Sequence, residues 1–202
     1  MRLKLSLFGL LLGCSLIGFA ENAEAQNTQN PAWKRYELGQ GNFSVLLPGQ
    51  PKEHFTPSPP NAAVPIEVYI YSVTSDDATF IAQYSVLGEA ALQWTENTKG
   101  SFYQGVWKGA AEVYDQEMAK SNLEFRAKLI SQRDIKFSGY SGHEIVFSLG
   151  PLQGQMWTTL VGRQAFGATI LGSEKLRAAD RQRFMDSFTL TLKTVPAATK
   201  AN

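Results

Sequence analysis

IEVYIYSVTSDDATFIAQYSV, residues 66–86, is the stretch whose reading decides the fold. Ile66 to Thr74 alternates β-branched and aromatic side chains with polar ones. Ser75-Asp76-Asp77-Ala78 then makes a tight turn, in which an aspartate bonds its own backbone, and Thr79 to Val86 runs back. Two extended runs joined so briefly pair antiparallel. Phe80, Ala82, Tyr84 and Val86 share one face of the second strand because side chains alternate with a period of two, and that face is expected to be core.

Beyond this hairpin the period changes. From about Lys99 to Lys120, Phe102, Tyr103, Val106, Trp107, Ala110, Val113, Tyr114 and Met118 recur at three- and four-residue steps, the stripe of an amphipathic helix lying on a sheet. Strands are expected at about 125–137, 143–149, 154–162 and 166–172. The connections Gly139-Tyr140-Ser141-Gly142, Gly150-Pro151 and Gly162-Arg163-Gln164 are short enough to make them an antiparallel meander. Ser173 has the chemistry of an N-cap for a second helix over 174–187, and TLTLK closes the fold with Leu190 and Leu192 inward. Upstream, Phe43, Val45 and Leu47 alternate in a strand ended by Pro48-Gly49. A stiff Pro-rich loop, TPSPPNAAVP, carrying Pro57, Pro59 and Pro60, then leads to Ile66. The fold class read from this order is α+β: an antiparallel sheet of about six to eight strands, covered by a central amphipathic helix and a C-terminal helix.

The chain begins MRLKLSLFGLLLGCSLIGFAENAEAQ, with Arg2 and Lys4 before an apolar run and Ala23-Glu24-Ala25 after it, the layout of a secretory signal peptide over residues 1–25. Leu11-Leu12-Gly13-Cys14 also has the form of a lipobox, so two outcomes stand: acylation at Cys14, or cleavage before Gln26. Residues 26–35 are expected to be a disordered linker, 36–193 a single domain and 194–202 a disordered tail. Cys14 is the only cysteine, so a chain cleaved after Ala25 has neither disulfide nor thiolate chemistry.

Nineteen basic and eighteen acidic residues give a net charge of +1, which supplies no electrostatic footprint for nucleic acid. Membrane attachment is expected only if Cys14 is lipidated. With two histidines, His54 and His143, far apart in sequence, no metal or other cofactor is expected. His143 and Glu144 are adjacent on a strand and so face opposite ways, His143 toward Ile145 and Phe147 at the core margin, bonded to backbone. The segment matches neither a zincin motif nor a nucleophile elbow, and catalytic residues are expected to be none. Candidates for a contact surface are Trp33 and Trp94, which flank ordered segments, the prolines 57, 59 and 60, and Arg177 and Arg181 on the second helix. Arg181 either covers apolar surface with its stem or pairs with a carboxylate, at the sheet edge or on an acidic partner.

FSVLLPGQP (Phe43 to Pro51), GYSGHEIVF (Gly139 to Phe147) and RFMDSFTL (Arg183 to Leu190) give the chain, over about residues 36–192, a layout that resembles the PsbP-like fold family of exported bacterial and lumenal proteins, with DcrB- and LpqN-like relatives. The resemblance implies export and partner binding rather than catalysis, and it transfers no functional residue. The expectation is therefore a monomeric, non-enzymatic accessory domain that is periplasmic or secreted and makes contact with an envelope or lumenal protein. Alternatives are the thylakoid lumen, or a lipoprotein anchored through Cys14. As functions, the alternatives are a lipid-anchored carrier of an apolar ligand, with a deep pocket between helix and sheet, and a hydrolase assembled in three dimensions around Ser141 and His143.

Overall fold

The structure, a computed structural model, describes residues 32–57 and 66–192. The signal segment with Cys14, the first part of the linker, Pro59, Pro60 and the tail lie outside the described residues. The chain runs β1 (Lys34–Leu38), β2 (Phe43–Leu47), β3 (Lys52–Thr56), β4 (Ile66–Thr74), β5 (Ala78–Leu87), a 3-10 turn (Glu89–Gln93), α1 (Glu96–Lys120), β6 (Ala127–Phe137), β7 (Tyr140–Leu149), β8 (Leu152–Val161), β9 (Gln164–Gly172), α2 (Ala178–Asp186) and β10 (Thr189–Leu190).

Seven strands form one antiparallel sheet in the order β3-β4-β5-β9-β8-β7-β6, and β1-β2-β10 form a second, three-stranded sheet. The α+β class is as the sequence indicates, with the 66–86 hairpin intact and in register from Ile66↔Leu87 to Thr74↔Thr79. The small sheet is new. Its closing strand is two residues long and pairs with β2 through Thr189↔Ser44 and Leu190↔Phe43.

The face of β5 expected to be core is core, and the central strands of the large sheet are buried on the opposite face as well. Phe80, Ala82 and Tyr84 point to one core, Ile81 and Leu87 to the other. Under α1 lie Ile145, Phe147, Leu149 and Met156, met by Phe102, Val106, Ala110 and Tyr114 of the helix. On the opposite face β2 and α2 supply Phe43, Val45, Leu47, Phe184 and Met185. A long helix and a short sheet thus sandwich the seven strands.

Several boundaries move, each for a local reason. Strand β1 opens at Lys34, inside the segment expected to be linker, because Arg35 and Tyr36 pair with Leu46 and Val45. Helix α1 starts three residues early, since the hydroxyl of Thr95 accepts from Thr98 N at 3.3 Å and caps it. Helix α2 starts late. The Ser173 carbonyl accepts from Leu176 N at 3.1 Å and its hydroxyl from Lys175 N at 3.2 Å, so Ser173 closes a turn and Arg177 is the N-cap position. Strand β7 begins at Tyr140, because Ser138 (φ 51°) and Gly139 (φ 87°) complete a two-residue hairpin turn by themselves. Strand β3 falls where only a turn and a stiff loop were expected.

Candidate interaction surface

The strand pair β6–β7 sends His143 and Glu144 to opposite faces, as alternation requires, and both find partners. The His143 ring stacks on Tyr103 of α1, centroids 5.5 Å apart and planes 14° from parallel. Its Nδ1 lies 3.0 Å from Asp134 Oδ1, so the expected backbone bond is replaced by a carboxylate on the neighbouring strand. Nε2 is buried and has no hydrogen-bond partner among the described residues.

On the other face Glu144 is buried, with 4% of its surface exposed. One carboxylate oxygen accepts from Gln155 Nε2 at 2.8 Å and Trp157 Nε1 at 2.7 Å; the other accepts from Arg133 Nε. Burial alone pushes this carboxyl up, but the bonds from Arg133, Trp157 and Gln155 outweigh it and hold Glu144 below the ordinary glutamate value. Both oxygens are used, so Glu144 works as a cross-strand brace. Register is the signal that would have found it: with the turn at Ser138-Gly139, Arg133 and Trp157 are its direct neighbours on β6 and β8.

The candidates for partner contact fall into separate places. Trp33 packs edge-on against Phe80, centroids 5.4 Å apart, and the Arg183 guanidinium lies 5.1 Å from its ring centroid. Cation–π contact thus joins the residue just before β1 to α2. Arg35 stands on the same layer, donating to Ser44 Oγ and to the Ser187 carbonyl, each at 3.0 Å. Arg177 is taken up by Asp180 through Nε at 2.6 Å and Nη2 at 2.9 Å. Arg181 is half-buried, burial pulls its pKa down, and no carboxylate among the described residues pairs with it. Trp94 is not part of this surface; it packs against Phe102 on the α1 side of the sheet. Pro57 follows β3 at the far edge, beside the exposed Phe55.

The structure supplies little for chemistry. No group of three or more potential metal-ligating side chains occurs among the described residues. The Ser141 hydroxyl accepts from Lys136 Nζ at 3.3 Å and makes no hydrogen bond to His143. Between α1 and the sheet a cavity of about 20 Å³ is lined by Gln83, Ser85, Phe102, Val106, Thr158 and Thr169, among others. That is room for about one water. No helix of the described residues is long and apolar enough to cross a membrane.

No family model and no curated protein matches the chain. Among solved structures it is similar to cyanobacterial PsbP from Synechocystis sp. PCC 6803, at 11% identity, TM-score 0.48, over 82% of this chain and 96% of that one. It is also similar to a protein of unknown function from Pseudomonas aeruginosa, at 13% identity and TM-score 0.31, over 70% and 83% of the two chains. A third match, from Bacteroides thetaiotaomicron, has 11% identity and TM-score 0.38, over 78% of this chain and 48% of that one. The expected resemblance to PsbP is therefore found as a likeness of fold, and it assigns no activity.

Proposed function

We propose that the chain is a non-enzymatic accessory domain of the exported compartment that binds an acidic protein partner through Trp33, Arg181 and Arg183. The observation that carries this is the meeting of Trp33 with Arg183 on α2, a helix that also carries a half-buried Arg181 that no carboxylate among the described residues pairs. A guanidinium removed from water favours a carboxylate, and tryptophan with arginine is the composition of interface hot spots. The carrier reading is less well supported, since a one-water cavity falls far below the several hundred Å³ (~300 or more) of a ligand pocket. The hydrolase reading lacks a serine-to-histidine bond.

A photo-reactive amino acid in place of Trp33, in cells making the full chain, tests the proposal. A discrete adduct is expected that fades when Arg181→Glu and Arg183→Glu are introduced together and survives Lys128→Glu on the edge strand β6. An adduct indifferent to the α2 charges, or no adduct, removes the reading.

A further inference from the structure

The two edges of the seven-stranded sheet differ in kind. Strand β3 is five residues long and is followed by Pro57, whereas β6 spans eleven residues, exposed from Lys128 to Asp134. Proteins ordinarily keep edge strands short, because an open row of N–H and C=O groups is a template for another strand. The register of β6 shifts between Leu129 and Ser131, and residues 131–137 pair with β7 in one unbroken register beyond it.

Hairpin geometry fixes which backbone groups of that run are unused. The two residues flanking a two-residue turn, here Phe137 and Tyr140, exchange hydrogen bonds, and the pattern alternates along the ladder. Phe137, Ile135 and Arg133 thus direct their N–H and C=O groups to β7. Lys136, Asp134 and Gln132 direct theirs away from the sheet.

We propose that this edge pairs antiparallel with the same edge of a second copy of the chain, about a two-fold axis at Ile135, so that the two large sheets become one. Charge selects the register. An axis at Arg133, Asp134 or Lys136 sets that residue against itself, and an axis at Gln132 sets Lys136 against Lys128. With the axis at Ile135, Asp134 of each copy stands opposite Lys136 of the other, Ile135 meets Ile135, and Arg133 stands opposite Phe137. Cross-strand pairs of opposite charge are favourable and like pairs are not. Both Asp134–Lys136 pairs also fall where the outward N–H and C=O groups are. Asp134 already holds His143 through one oxygen, yet its side chain is 95% exposed, so the second copy can reach it. Charged edge residues usually prevent pairing; here their signs alternate so as to admit one partner, the chain itself.

Analytical ultracentrifugation of the full chain, purified in its naturally processed form, tests this over a concentration series. The mass is expected to rise to that of two chains. Asp134→Lys and Lys136→Asp should each weaken association by about tenfold or more, because each turns two attractive cross-strand pairs repulsive. The double variant should recover it, which separates loss of pairing from loss of folding. Under mild oxidation Ile135→Cys should crosslink two chains, since residues at the axis have Cα atoms about 4.5 Å apart, within disulfide range. Ser131→Cys should not; the parent chain, whose only cysteine is Cys14, is the control. A monomer at every concentration, a double variant that stays dissociated, or crosslinking at Ser131→Cys in place of Ile135→Cys overturns the proposal.

Discussion

The two faces of the seven-stranded sheet are covered by very different means. On one side the 25-residue α1 lies across the strands and meets aliphatic side chains such as Ile145, Leu149 and Met156. On the other, two five-residue strands, a two-residue strand and the nine-residue α2 do the same job. The short cover compensates with large rings. Phe43 stacks on Phe188 at 4.7 Å and meets Tyr71 and Phe166 edge-on, while Phe137 links Phe188 to Trp157. An aromatic ring buries about 150–250 Å² and gains further from its geometry, so a few residues close a face that would otherwise need a long element. Stability is therefore concentrated on the ring side and distributed on the helix side.

The largest effect expected from this contrast is at Phe43. Phe43→Ala should cost about 3–5 kcal/mol, because the ring is wholly buried and touches three other rings. Val106→Ala on the buried face of α1 should cost clearly less. Urea denaturation of both variants measures the difference, and equal losses would break the comparison.

Glu144→Gln comes next, at about 1–3 kcal/mol, since the amide keeps one acceptor oxygen and must set its N–H groups either against Arg133 or against the paired donors of Trp157 and Gln155. The pH dependence has a definite sign. The folded carboxyl titrates below its ordinary value, so its contribution is whole above the unfolded pKa and is lost as pH falls through the folded one. The variant should show a flatter acid limb in a pH series of denaturation curves; an unchanged limb would mean that the brace is not ionised. Gly154→Ala sharpens the comparison from the helix side. A Cβ there runs into the Phe147 ring, which lies against Tyr114 and Trp107. Overpacking of this kind costs about 1–3 kcal/mol, read as a lowered denaturation midpoint.

What the sequence disclosed follows the same division. Hairpins with tight turns and α1 were legible because their contacts are local: Ser75 to Ala78, Gly150-Pro151 and the 3.6-residue stripe from Phe102 to Tyr114 all speak within one window. The ring-side cover was not, since β10 is two residues long and Trp33 meets Arg183 only after the whole chain has folded. Strand β3, with Lys52, Glu53 and His54 exposed, has no alternation to betray it. For the candidate site the loss was a single misplaced turn. Taking Gly139 to Gly142 as the loop removed the register that sets Asp134 beside His143 and Arg133 beside Glu144. Both polar contacts follow from sequence once Ser138-Gly139 is recognised as sufficient.

The smallest expected effect probes one of the ring contacts on the helix side. Tyr103 is the residue of α1 that stacks on His143, and its hydroxyl donates to the Ser141 carbonyl at 3.5 Å. Tyr103→Leu keeps apolar area against the sheet but loses the stack, so the cost should be about 0.5–1.5 kcal/mol. Hydrogen exchange locates it: protection should fall in the N-terminal turns of α1 and persist around Tyr114, which stacks on Phe147 at 5.4 Å. Loss of protection along the entire helix would show that α1 docks as one cooperative unit, and the contrast between a concentrated and a distributed face would then fail.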